Sequence, residues 1–565
     1  MFSSFRNGLL ILMLCAPAMG EAIDGPALVM RSCGKQADDA WVLDANGYAG
    51  TYVRLASPGK VEISVDALGH SSGDLKPRMN VVVADNSKSF DVGSAVQTCD
   101  DSLDLPAGTY FVRIEFVNHD TDRTLSIKNL KVNGAEVINK NSDAIALTAA
   151  DSYIEHFRKE DAVVTLNHAA PGAEAHVKLK RHAFSFGTTI PIEYSNLIVA
   201  DNPPADSDAF KCQEFLKRYF NTIIAGNAGK WAYNEPESGK VTMEQIDTLI
   251  DFAKSHGYRL RMHNLIWGNQ QPNWVSVLIR KAVDGDDQAK QELRKAISHR
   301  IGYYVHDRAA GYMDLDVLNE SLHQPSYWKI FGAEGIAGIY KECADAVHAA
   351  GTDTRLYTNE YNILQWSHEL DSNGKEGADD PYANWYLRNV QAINGAGGAV
   401  SAIGVQYYPD ISKATQNGCP HSAARIMQVF QNLSVAGLPL TLTEFGVQHG
   451  RDRTVDPMLA AQALTEAMRM SFGTAQMNGF IVWGFRKPWL WEHANAGALF
   501  EADWKLTLAG QQFEDLMARW DTNLMVPVGA DGKIHFTGFL GDYEITVGQK
   551  SYPLTLTRQK SEYAP

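Results

Sequence analysis

Basic charge is in short supply in this chain, and the shortage excludes a first class of partner. Lys and Arg total 51 against 66 Asp and Glu, a formal net charge of −15. No Lys/Arg-rich run offers a stripe of phosphate contacts, so nucleic acid is not an expected partner. Cysteine is scarce too: there are six, with no CxxC pair and no Cys/His cluster, which leaves no ligand spacing for structural zinc. Cys15 falls in the N-terminal segment. Cys33 and Cys99 could pair in an oxidising compartment, and Cys212, Cys343 and Cys419 are expected as buried thiols. Beyond the N-terminus no apolar run of about 18 residues exists to span a bilayer, and no repeat period is present.

The one apolar run opens the chain. "MFSSFRNGLLILMLCAPAMGEA" carries a single Arg, an apolar stretch from Leu9 to Leu14, and the small residues Ala18 and Gly20. Residues 1–20 therefore read as a secretory signal cut after Gly20, and the protein is expected to be secreted or periplasmic, off the membrane after cleavage. The remaining composition, 45% hydrophobic and 21% charged over 565 residues, supports more than one core. A monomer is expected. Twelve Trp suit stacking on flat apolar faces such as sugar rings as well as core packing.

Residues 25–145 hold short alternating stretches, among them "TYVRLAS", "KVEISVDAL", "MNVVVAD" and "GTYFVRIEFVN", separated by Gly, Asp, Asn and Ser. This is the pattern of an antiparallel β-sandwich. Residues 146–183 read as a short β-rich link. From there the rhythm changes: strands predicted at 184–190, 221–226, 259–267, 314–320, 355–362, 402–409, 438–446 and 479–485 alternate with amphipathic helical stretches. Eight such units in series predict an α/β fold, a closed (β/α)8 barrel over 184–520. Residues 521–565 return to alternation and read as a small β appendage.

The C-terminal ends of barrel strands surround the active site. Glu320 closes the fourth strand, "DLDVLNE", and Glu444 lies near the end of the seventh, "LPLTLTEFG". His263 and Trp267 come from the third, Gln406 and Tyr408 from the sixth, and Trp483 from the eighth. Two carboxylates on one rim without metal-ligand spacing suit hydrolysis of an acetal, one as acid and base and the other as nucleophile. Carboxylates about 5–5.5 Å apart give retention and about 6.5–9.5 Å inversion.

These residues resemble glycoside hydrolase family 10, the endo-β-1,4-xylanases, over roughly residues 160 to 520. "GNAGKW", "MHNLIW", "DVLNE", "LYTNEYN", "GVQYY", "LTEFG" and "VWGF" follow in the family's order. The resemblance implies Glu320 as acid/base and Glu444 as nucleophile. It also implies Asn227, Lys230, His263, Trp267, Asn319, Gln406, Tyr408, Trp483 and Trp491 around the sugar, a xylan-type polymer as substrate, and no cofactor for catalysis. Three departures stand out: Gly226 where the family has a Glu, Tyr408 where it has a His bonded to the nucleophile, and "FRKPWLW", whose Arg486 and Lys487 add positive charge that could favour acidic side groups. "FVNHDTDRTLSIKNLKVNG" is similar to the closing strands of small xylan-binding sandwich modules, some holding calcium, which makes Asn118, Asp120 and Asp122 candidate ligands. Two alternatives stay open: a related barrel glycosidase acting on another β-linked or decorated hemicellulose, and a polysaccharide-binding protein without turnover.

Overall fold

The computed structural model describes residues 20–167, 169–191, 195–364, 382–409, 422–448, 456–490, 494–558 and 560–564. The chain divides into two units, Met1–Lys140 and Asn141–Pro565.

The first unit is built of two six-stranded sheets whose paired strands are antiparallel. In strand Gly59–His70 the residues Val61, Ile63, Val65 and Ala67 are buried while Glu62, Ser64 and Asp66 face outward, the period-2 signature of a sheet with one dry face. Cys33 and Cys99 both keep their thiols and share no disulfide. The candidate calcium ligands are committed elsewhere. Asn118 Oδ1 accepts from the Arg78 amide at 2.7 Å and its Nδ2 donates to the Lys76 carbonyl at 2.9 Å. Asp120 takes the Arg123 guanidinium at 3.2 Å, and Asp122 accepts from the Ser72 hydroxyl. Each of the three side chains already has a protein partner. Among the described residues no cluster of three or more His, Cys, Asp or Glu could hold a metal ion.

The second unit contains the barrel. Its strands are Ser185–Thr189 (β1), Thr222–Ile224 (β2), Arg259–Met262 resuming at Ile266–Trp267 (β3), Asp314–Asn319 (β4), Arg355–Glu360 (β5), Ala402–Tyr407 (β6), Leu440–Phe445 (β7) and Met477–Val482 (β8). Each is parallel to the next, and β8 pairs with β1 to close the ring. Strands β4, β6 and β7 are buried along their whole length, as strands covered on both sides must be. The register shifts between Val405 and Gln406 and again between Leu442 and Phe445. Such irregularities re-aim side chains at a barrel rim.

Lower in the barrel lies an ionic cluster. The fully buried Arg261 reaches Asp316, approaches Asp314 at 3.7 Å and stacks over Tyr357 at 4.0 Å. Arg355 grips Asp314 through two bonds of 2.7 and 3.1 Å.

The flanks differ from their sequence reading. The link expected to be β-rich begins with a helix, Asp143–Phe157, whose N-cap Ser142 accepts from the Ile145 amide. Its buried residues Ala146, Ala149, Ala150, Tyr153 and Ile154 follow helical spacing. Arg158 then donates to the carbonyls of Phe472, Thr474 and Met477. Strand Lys159–Thr165 pairs with Lys533–Phe539, and Glu174–His182 lies between Asn523–Pro527 and Gly541–Val547. The tail is therefore one half of two small sheets. Among the described residues no helix is long and apolar enough to cross a membrane.

Candidate active site

Glu320 follows the last residue of β4 with φ +57°, a left-handed conformation that costs a side-chain-bearing residue energy and concentrates at functional sites. Its Oε1 accepts from Gln406 Nε2 at 3.0 Å, and its Oε2 accepts from Trp267 Nε1 at 2.7 Å. Burial pushes this carboxyl up to about 7; donation from Gln406 opposes the rise, and the Glu360 carboxylate adds to it. Such a group keeps its proton near neutrality, as a general acid must.

Glu444 on β7 is 5% exposed. Asn359 Nδ2 donates to its Oε1 at 3.0 Å and the Tyr408 hydroxyl to its Oε2 at 2.7 Å. Burial, then the Glu320 carboxylate, raises Glu444 above the usual carboxylate range, while Tyr408 and Lys230 pull it back. Glu444 and the Lys230 ammonium act on one another, so each shifts with the other's charge.

The other expected residues gather around this pair. Lys230, buried, lies 4.9 Å above the Trp267 ring and donates to Gln270. Burial lowers its ammonium, against both glutamates. His263 meets Asp316 through Nδ1 at 2.9 Å, and burial lowers its imidazole from the usual value. A neutral ring donating Nδ1–H to that carboxylate fits both facts. Its ring meets that of Trp483 in a T-shaped contact with centroids 5.1 Å apart. Asn319, 1% exposed, accepts from Asn359 through Oδ1 at 2.9 Å, and its Nδ2 is buried without a partner, a donor left for a ligand oxygen. Asn227 opens the short turn Asn227–Gly229 after β2 and is half-buried. Trp491 lies outside the described residues.

Two of the departures acquire physical reasons. A Cβ at Gly226 would press to 3.0 Å on the Ile190 carbonyl and the Thr189 methyl, so the β1 end occupies the space a larger side chain needs. Arg486 and Lys487 each already face a carboxylate. Arg486 pairs with Asp208 at 2.9 Å and Lys487 with Glu501 at 2.5 Å.

Sequence reasoning missed Asn359, which joins Asn319 to Glu444, and its neighbour Glu360. The signal was their place at the end of β5, equivalent to that of Glu320 on β4.

Two donor-capped glutamates on the rim of a closed parallel barrel form the carboxylate-pair arrangement of barrel glycoside hydrolases. Comparison with known proteins is consistent with that class. The model of glycosyl hydrolase family 10 matches residues 192–515, and the chain belongs to that family.

Over 426 residues, 72% of this chain and 48% of the relative, it is 27% identical to the protein named anti-sigma-I factor RsgI6 of Acetivibrio thermocellus. It is 23% identical to endo-1,4-beta-xylanase 1 of Arabidopsis thaliana, covering 66% of this chain and 34% of that one. With the thermostable celloxylanase of Thermoclostridium stercorarium it shares 25% identity over 51% of this chain and 76% of the other. The chain thus spans less than half the length of the first two relatives. Among solved structures, xylanase 10B from Thermotoga petrophila RKU-1 in complex with xylobiose superposes with a TM-score of 0.47 at 18% identity, covering 60% of this chain and 94% of that one.

Proposed function

We propose that the protein is a secreted, retaining endo-glycosidase that hydrolyses β-1,4-xylosidic bonds in a xylan-type polymer. The observation that carries this reading is the carboxyl pair itself, each member held by a donor on each oxygen. Glu444 is the more deeply buried, an arrangement suited to attack by a fixed carboxylate. Glu320 stands at the more exposed rim, where burial raises it to about 7 and it can donate a proton.

In the first step a Glu444 oxygen bonds to the anomeric carbon as the glycosidic C–O bond breaks. The Glu320 proton passes to the departing oxygen. In the second, the Glu320 carboxylate takes a proton from water, the water oxygen bonds to the anomeric carbon, and Glu444 leaves as a carboxylate. The free Nδ2 of Asn319 and the ammonium of Lys230 would hold ring hydroxyls, and Trp267 and Trp483 would stack on sugar faces. The N-terminal sheets would bind the polymer, and residues 1–20 would direct export.

One observation favours a second reading, a barrel that binds polysaccharide without cleaving it. Burial keeps Glu444 prone to protonation, and a protonated Glu444 cannot attack. Reducing-sugar release from glucuronoxylan, arabinoxylan, glucan and mannan separates the two. Cleavage of xylan by wild type, abolished in Glu444→Ala and in Glu320→Ala, is the expected result. Binding of xylooligosaccharide with no release from any polymer would establish the second reading. The anomeric configuration of the first product, read by proton NMR, tests retention.

A further inference from the structure

Glu360 is a fully buried carboxylate on the strand next to Glu320, and the chemistry above does not use it. It is bound almost entirely by the turn that follows Glu320. Its Oε2 accepts from the Leu322 amide at 2.7 Å, and its Oε1 accepts from His323 Nδ1 at 2.8 Å and from the Tyr361 amide at 3.0 Å. His323 is in turn stacked on Tyr361 with ring centroids 3.9 Å apart. The Glu320 amide itself donates to the Asn359 carbonyl at 2.7 Å, and the Glu320 carbonyl accepts from the Gln324 amide at 2.6 Å. The left-handed backbone at Glu320 is thus held on one side by β5 and on the other by a turn tied to Glu360.

We propose that Glu360 is a positioning residue with two tasks: through Leu322 and His323 it holds the turn that aims Glu320, and through its fixed negative charge it keeps Glu320 in the proton-donor form. The inference rests on the reading of Glu320 as acid/base. Among the described residues, the charged and titratable groups around Glu320 are Glu360 from β5, with His323 of the following turn paired to it at 2.8 Å, Glu444 from β7, Lys230 from the turn after β2, and the hydroxyls of Tyr361 and Tyr408. Glu444 is needed for attack. Lys230 acts in the opposite direction, favouring the ionised form. Among the described residues, Glu360 remains as the negative group outside the bond-making pair that opposes loss of the Glu320 proton. A like charge nearby raises a carboxyl's affinity for its proton.

The test compares wild type, Glu360→Gln and Glu360→Asp as full chains. Titration of the Glu320 carboxyl is followed by infrared or carbon-13 signals assigned with Glu320→Gln, beside the pH profile of kcat/KM on a xylooligosaccharide. In wild type Glu320 is expected to titrate near 7. In Glu360→Gln its midpoint is expected to fall by about one pH unit. Glu360→Asp, which keeps the charge, holds the midpoint even where the rate falls. An unchanged midpoint in Glu360→Gln, or a drop in Glu360→Asp as large as that in Glu360→Gln, overturns the proposal. So does a wild-type Glu320 titrating in the ordinary carboxylate range, a result that needs no variant to fold. The titration does not depend on turnover. Absence of activity in wild type would therefore count against the proposed function alone.

Discussion

Replacing Tyr408 by Phe removes one hydroxyl and little else. That hydroxyl donates to Glu444 Oε2 at 2.7 Å, with Tyr408 8% and Glu444 5% exposed, so water cannot easily replace it. A hydrogen bond to a charged group contributes about 1.5–3 kcal/mol. One pH unit corresponds to about 1.4 kcal/mol of preference between protonation states. Loss of the donor should therefore raise Glu444 by about 1–2 units. Attack requires the ionised form, so kcat/KM falls on the acid side by the factor that this shift implies. Burial already raises Glu444 to about 8, above Glu320 at about 7, so the loss persists until the pH exceeds the raised Glu444 value. Measured from about pH 4 to about pH 9, the variant should lose most activity on the acid side and least at the upper end. An active Tyr408→Phe variant whose kcat/KM on the acid side equals that of wild type would refute the idea that this hydroxyl favours the ionised nucleophile.

Two further outcomes concern stability. Glu444 binds its proton more tightly folded than unfolded, where its ordinary value is 4.5. The folded state therefore carries the extra proton between that value and its raised one, and wild-type stability must fall as pH rises through that window. Glu444→Gln abolishes the effect, so its melting temperature should gain on wild type between about pH 5 and about pH 8; parallel curves would contradict the raised carboxyl. Arg261→Met removes the buried cation between Asp316 and Asp314 and should cost about 3–5 kcal/mol in denaturant unfolding. A loss below about 1 kcal/mol would mean the cluster relaxes without it.

The barrel was legible because its strands carry apolar runs long enough to be buried on both faces, and because Glu320 and Glu444 interrupt those runs at their ends. What escaped depends on partners distant in sequence. "LYTNEYN" was legible as a strand end, but nothing local says that Asn359 reaches Glu444, 85 residues on, or that Glu360 receives His323 from 37 residues upstream. Arg486 read as a free cation because its partner Asp208 lies 278 residues away. The helix Asp143–Phe157 was legible in principle. Its Ser142 cap and its apolar spacing were both present, and the β-formers after Arg158 obscured them.

The flanking sheets have a consequence for how the chain is made. Asp161 and its hydrogen-bond partner Thr537 are 376 residues apart, with the whole barrel between them. On the ribosome, strands Lys159–Thr165 and Glu174–His182 emerge early and wait with unsatisfied edges until nearly everything else has been synthesised. Contacts so distant in sequence form late and slowly, and exposed edges invite aggregation in the interval. Closing these two sheets needs both ends of the chain, and it fastens the entrance and exit of the barrel to each other.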